Sequence, residues 1–363
     1  MISDIDAAVA FLDGLVNLEY KHKAAILELY DNPADIFKNI DSAVDYLETN
    51  LSAAAANTFI EAINSGATDE IVDALERDGI TPVTIFSDDY PTRLKYLDYK
   101  PLCLYAKGDL SLLNADKTVG IVGSRKTLPE YAALTKNVSE SLSGAGVTVV
   151  TGVAFGADKA AIQGALSFGK IICVTASGFN YLKSEANRDL IEKVIKNGLC
   201  ITEYPPSVPP LAFHYPVRNR IIAGLSDGVL IASGDKESGA RHTADYALDY
   251  GVDVMAFPYA VGVTGGELCN SLIKDGAHLV ETSEDVAEVL GVELKNDKSS
   301  ITLSDKEKSV YDIIAGGSGN ADEILLKTGF KVYELTPILT MLELKGLILK
   351  GAGGEYKPVK GRF

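Results

Sequence analysis

Between residues 118 and 280 the chain alternates short apolar runs with amphipathic stretches, and this alternation limits the fold more than any other feature. The runs cover residues 118–122, 147–150, 171–175, 199–202, 229–232, 252–257 and 279–280. They are rich in β-branched residues and apolar at successive positions, which suits strands covered on both faces. Residues 129–143, 158–168, 187–197, 218–225, 242–250 and 268–275 carry apolar positions at helical spacing. Strand–helix alternation of this kind predicts an α/β fold with a Rossmann-like, doubly wound, mostly parallel sheet.

The flanks differ. In residues 1–80 apolar positions recur three or four apart (Ile5, Val9, Leu12; Ile26, Leu29, Tyr30), broken at Asn32-Pro33, so an N-terminal helical domain is expected. A polar linker from Glu293 to Ser300 leads to Ser304-Asp305-Lys306-Glu307, an N-cap with an acid three residues on. Helices are predicted over 306–314, 321–328 and 332–345, then a hairpin around Gly351-Ala352-Gly353-Gly354. Three helices and a hairpin outline a winged helix. The expected domains are thus 1–80, 81–291 and 301–363.

With 363 residues and 47% hydrophobic content the chain has ample material for packed cores, which excludes a disordered or fibrous protein. Its formal charge is −16, but residues 1–80 alone carry 4 Lys/Arg against 16 Asp/Glu, a net of −12. Residues 81–300 (21 against 26) and 301–363 (9 against 8) are nearly balanced, so local cations decide whether nucleic acid binds. Cys103, Cys173, Cys200 and Cys269 lack metal-ligand spacing and read as small core residues; no metal is expected. The acidic start is unlike a secretory signal and no apolar run reaches membrane-spanning length, so a cytoplasmic protein away from the membrane is expected.

Glycine and small hydroxyl residues follow four of the predicted strands: Gly123-Ser124-Arg125, Thr151-Gly152 through Gly156-Ala157-Asp158, Ser233-Gly234 with Ser238-Gly239, and Pro258 with Gly262 to Gly266. One such loop is weak evidence. Four at one sheet edge predict a phosphate site built from backbone N–H groups at helix starts. There is no P-loop, and Gly120-x-x-Gly123 is not a dinucleotide fingerprint, so no cofactor is expected. Arg218, Asn219 and Arg220 stand beside Phe213, His214 and Tyr215, a pattern suited to phosphate contact and base stacking. His214, His242 and His278 lack a nucleophile or paired carboxylate at a telling spacing, so no catalysis is expected.

These residues resemble the DNA-processing protein A family (DprA, also called Smf), bacterial single-stranded-DNA binders of natural transformation. The resemblance rests on Tyr90-Pro91-x-x-Leu94, Lys100-Pro101-Leu102-Cys103-Leu104-Tyr105-x-x-Gly108, Ile121-Val122-Gly123-Ser124-Arg125, Thr151-Gly152-x-Ala154-x-Gly156-Ala157-Asp158 and Thr202-Glu203-Tyr204-Pro205. Tyr215-Pro216-x-Arg218-Asn219-Arg220-Ile221-Ile222-Ala223-Gly224-Leu225-Ser226 is its most specific element. Ser238-Gly239 and Asn270-x-Leu272-Ile273-x-x-Gly276-Ala277 complete it; residues 85–290 match strongly and the flanks in outline.

The resemblance implies a sterile-alpha-motif-type N-terminal domain and a core that forms a homodimer, binds single-stranded DNA and loads the recombinase RecA onto it. Carried over, the phosphate site comprises Gly123, Ser124, Arg125, Thr151, Gly152, Gly156, Arg218, Asn219, Arg220, Ser238 and Gly239, with Lys183 in place of a basic residue used by some members. The chain departs from the family at Ile162 (usually histidine), at residues 181–185, at Ala240-Arg241-His242-Thr243 and at Pro258-Tyr259, the signs of a divergent member. A dimer face is expected at a sheet edge, from the strands at Val229 onward, the helix at 242–250 and the run 268–273. Two other classes stay open. One is a nucleotide phosphoribohydrolase of the lysine-decarboxylase-like group, whose Pro-Gly-Gly-x-Gly-Thr run is absent here. The other is a nucleotide-sensing winged-helix regulator, whose duplex binding would be lost with residues 301–363.

Overall fold

The computed structural model describes residues 2–184, 187–294, 303–351 and 353–359, without the side chains of Ala67, Lys183, Ser184 and Leu344. Five helices open the chain: α1 (Asp4–Gly14), α2 (Tyr20–Glu28), α3 (Asp41–Asn50), α4 (Ala53–Asn64) and α5 (Ala67–Arg77). Ser3 and Ser52 cap α1 and α4, each accepting a backbone N–H that the first turn leaves without a helical partner. Phe11 packs against Phe37 and Phe59 at 5.5 and 6.1 Å between ring centres. This layer is hydrogen-bonded to the first strands of the sheet. Asp6 accepts from the hydroxyls of Thr84 and Ser87 at 2.7 Å, and Asp13 accepts from the Tyr105 hydroxyl at 3.1 Å.

The central sheet has nine strands: β1 (Thr81–Thr84), β2 (Cys103–Gly108), β3 (Thr118–Val122), β4 (Thr148–Thr151), β5 (Ile171–Val174), β6 (Leu199–Thr202), β7 (Gly228–Ile231), β8 (Asp253–Ala256) and β9 (His278–Leu279). Their order is β1-β2-β6-β5-β4-β3-β7-β8-β9, with only the β1–β2 and β2–β6 pairs antiparallel. The connecting helices are α6 (Pro129–Gly144), α7 (Ala157–Ala165), α8 (Arg188–Asn197), α9 (His214–Gly224), α10 (Ala240–Asp249), α11 (Glu267–Lys274) and α12 (Ser283–Leu290). Strand order reverses between β3 and β7, so the crevice of this α/β sheet opens at their carboxyl ends. The seven expected strands are present. β1 and β2 lie outside the predicted alternation, since only the short 3-10 helix Thr92–Tyr96 separates them.

One helix boundary is corrected. Helix α9 begins at His214 rather than Arg218, with Pro216 in its first turn, where a missing N–H costs no helical bond. The strands from Val229 onward run in the order β7-β8-β9 to one edge of the sheet, with Ala244, Ala247, Leu268 and Leu272 of the covering helices buried. The edge is β9.

The chain ends in α13 (Asp305–Ala315), α14 (Ala321–Thr328), α15 (Val332–Leu344) and a hairpin of β10 (Ile348–Lys350) with β11 (Tyr356–Pro358), a winged helix. Ser304 and Glu307 form the expected reciprocal cap of α13. Val310, Ile314, Ile324, Leu335, Leu342 and Leu347 make a core separate from that of the sheet.

Candidate functional site

The loops at the switch point are stitched to one another. Ser124 donates its backbone N–H to both the carbonyl and the hydroxyl oxygen of Ser233, and the hydroxyls of Thr127 and Ser233 lie 2.7 Å apart. A Cβ on Gly123 would stand 2.7 Å from that Ser233 oxygen, so Gly123 allows two strand-end loops to touch. Thr151 is fully buried and donates to the Ile121 carbonyl at 2.6 Å, a link between β4 and β3. Gly156 begins α7 at φ 77° with the Ser124 carbonyl where a Cβ would be; only glycine fits.

Below these loops lie two charges. Asp158 and Arg218 are 5% exposed, and a Cβ on Gly152 would overlap the Asp158 carboxylate and crowd both terminal nitrogens of Arg218. Arg218 donates to the Val174 carbonyl, while its Nε has no partner among the described residues. Burial raises the Asp158 carboxyl, opposed mainly by Arg218, and burial lowers the Arg218 guanidinium, opposed mainly by Asp158. Each charge is tolerated in the interior because the other is there.

The accessible cations lie above. Arg125 is exposed and its guanidinium carbon is 5.3 Å from the centre of the Tyr215 ring. Lys126 is exposed beside it, and Lys159 lies 6.0 Å from the ring of Phe155, itself 45% exposed. No ion pair is formed by these three cations among the described residues. Ser238 and Gly239 precede α10, and Asn219 donates to the Gly239 carbonyl at 3.2 Å, bringing that loop to α9. A Cβ on Gly239 would meet open space.

Arg220, two residues beyond Arg218, turns to the other side of α9. It pairs with both oxygens of Glu203 at 2.8 and 2.5 Å and donates to the Tyr99 carbonyl. Its charge is thus engaged away from the strand-end loops. Lys183 belongs to the turn Phe179–Ser184; its side chain, like residues 185–186, lies outside the described part. Ile162 is fully buried in α7, His242 is exposed on α10, and Thr243 is buried with its hydroxyl unpartnered. His214 stacks on Tyr204 at 3.9 Å, and its Nδ1 lies 3.2 Å from the Ala176 carbonyl. All four cysteines are buried and unbridged, and among the described residues no cluster is placed to hold a metal ion. The sequence reading named Tyr215 as a stacking candidate but missed Phe155, Lys126, Lys159 and Asp158 as site residues. The available signal was a cation in a strand-end loop whose motif also carries an aromatic residue.

The strand-end site and the appended domain together define a Rossmann-like α/β protein with a C-terminal winged helix. Residues 81–291 match the family described as DNA recombination-mediator protein A, and residues 295–354 match the DprA winged helix domain. The chain belongs to that family. It is 38% identical over 206 residues to the DNA processing protein DprA of Streptococcus pneumoniae (56% of this chain, 72% of the relative). It is 32% identical over 283 residues to the protein Smf of Escherichia coli, covering 75% of each. The X-ray structure of the Streptococcus pneumoniae protein superposes with a TM-score of 0.66 at 28% identity, over 81% of this chain and 99% of that one. A structure of the Helicobacter pylori DNA processing protein A, described for its single-stranded DNA binding mode, gives 0.53 at 27% identity, over 58% and 95%.

Proposed function

We propose that this protein binds single-stranded DNA across the carboxyl edge of its sheet and hands it to the recombinase RecA during the processing of incoming DNA. One observation carries the binding reading: the cations Arg125, Lys126 and Lys159, which form no ion pair among the described residues, share a rim with the aromatic rings of Tyr215 and Phe155. Phosphate contacts and base stacking need that combination, and it is indifferent to base sequence. Gly156 and Gly239, the N-cap residues of α7 and α10, add backbone N–H donors at helix starts, while the N–H groups of Ser124 and Ser238 are taken by Ser233 and Asp235. Arg218 and Asn219 hold the loops in place; Thr151, Gly152 and Gly123 give them room.

The action needs no catalytic group and no cofactor. The four thiols are buried and pushed above their ordinary range by that burial, which leaves no reactive nucleophile among them. Among the described residues no helix is long and apolar enough to cross a membrane. For assembly we place the homodimer contact at β9 and the outer face of α10, where Leu279 and Leu248 are 49% and 61% exposed.

A gel-shift comparison of single- and double-stranded oligonucleotides tests the proposal. Preferential shift of the single strand is expected. Release of free base from a nucleoside monophosphate, with no shift of either, would replace it by the phosphoribohydrolase reading.

A further inference from the structure

We propose that a second groove, reached from the opposite side of α9, holds an arginine- or lysine-bearing peptide segment of a partner protein. This groove has a volume of about 1370 Å³ and is lined by residues of α2, the β1–β2 connection, α9 and α10. It exceeds the roughly 300–1,000 Å³ of ordinary small-molecule pockets and suits a length of extended chain.

Its walls are aromatic. Tyr96, Tyr99 and Phe213 are 83%, 68% and 62% exposed, Tyr20 meets Tyr99 edge-on at 5.8 Å, and Tyr246 stacks on Tyr250 at 6.0 Å. Ring faces attract guanidinium and ammonium groups. The charge balance points the same way. Both arginines of the groove are already engaged, Arg93 with Asp227 at 2.8 Å and Arg220 with Glu203 at 2.5 Å. Asp98 and Asp249 line the same groove, are exposed, and have no ion-pair partner among the described residues. Both act on Tyr250, whose hydroxyl is raised to about 12, chiefly by burial, with Asp249 and Asp98 adding to it. A polyanion would meet uncompensated carboxylates here. An arginine side chain would find an ion-pair partner and a ring face together. The strand-end rim differs in carrying the cations Arg125, Lys126 and Lys159, which form no ion pair among the described residues.

The test uses the full-length protein and a short fluorescein-labelled peptide alternating arginine and glycine, followed by fluorescence anisotropy. Asp98→Asn with Asp249→Asn, and separately Tyr96→Ala with Tyr99→Ala, are expected to weaken peptide binding about tenfold or more. Binding of a single-stranded oligonucleotide should stay unchanged in both. Asp45→Asn with Glu48→Gln, an equal charge change on exposed positions of α3, should leave peptide affinity unchanged. Equal weakening by that control would mean diffuse attraction to an acidic protein and would overturn the proposal. Undiminished peptide binding in both groove variants, or loss of oligonucleotide binding in place of peptide binding, would overturn it too.

Discussion

At the residue scale, two arginines of similar appearance in the sequence do different work. Arg125 is exposed over Tyr215, and its side chain forms no ion pair among the described residues. Arg125→Ala is expected to weaken single-strand binding by about 1–3 kcal/mol while leaving the melting temperature unchanged. The slope of log affinity against log salt should fall by about 0.7, since one phosphate contact fewer releases counterions. Unaltered affinity and slope would remove Arg125 from the interface. Arg218 is buried against Asp158, and its loss leaves a carboxylate in the interior without its cation. Arg218→Ala is therefore expected to cost about 3–5 kcal/mol of folding stability, read from urea unfolding. Weakened binding by a variant of wild-type stability would instead make Arg218 a direct contact.

At the scale of elements, the seam between α1 and β2 is sensitive to pH. Asp13 is buried there, 3.1 Å from the Tyr105 hydroxyl and 3.7 Å from the Lys23 ammonium. Burial raises its carboxyl to about 6, against the opposing pull of Lys23, and burial lowers the Lys23 ammonium in turn. The folded state holds this proton at a pH where the unfolded chain has released it. Its contribution is therefore fully present below the unfolded value of 3.8 and is lost as pH rises through about 6. Raising pH from 5 to 7 is expected to lower the urea midpoint of the native protein more than that of Asp13→Asn, which keeps an oxygen acceptor for Tyr105. Equal losses in the two proteins would place the pH dependence elsewhere. Asp158, also raised, shifts stability in the same direction in both.

At the scale of the molecule, charge is partitioned by domain. The net of −12 in residues 1–80 lies outside the strand-end rim, so bulk acidity does not oppose a local cationic surface. A fragment of residues 81–291 is expected to bind single-stranded DNA in the gel shift, because Arg125, Lys126, Lys159, Tyr215 and Phe155 all lie within it. It should also melt below the intact chain, having lost the Asp6 and Asp13 hydrogen bonds to Thr84, Ser87 and Tyr105. Binding seen only when residues 301–363 are present would favour the winged-helix regulator. With its own core, the winged helix should unfold as a separate calorimetric transition that disappears when residues 303–363 are removed.

Much of the architecture was legible because it is local. Runs apolar on both faces marked the parallel strands from β3 to β9, and the Ser304–Glu307 cap marked the start of α13. β1 and β2 were not read, since a strand containing Pro82 and another ending Lys107-Gly108 lack that signature and become strands by antiparallel pairing. α12 was also missed, although Thr282 and Asp285 form a reciprocal cap visible in the sequence. The site was legible only as a set of loops. Arg218 and Arg220 carry the same charge two positions apart, and at about 100° per helical residue they must diverge. Which one met a buried aspartate and which one closed on Glu203 and Tyr99 depended on partners 17 to 121 residues away from Arg220, and on Gly152 from another strand. Periodicity and capping chemistry by themselves determined the elements and their class. Only the tertiary structure decided which charges were paired and buried and which stayed free for a ligand, because burial and pairing depend on neighbours brought together by the fold.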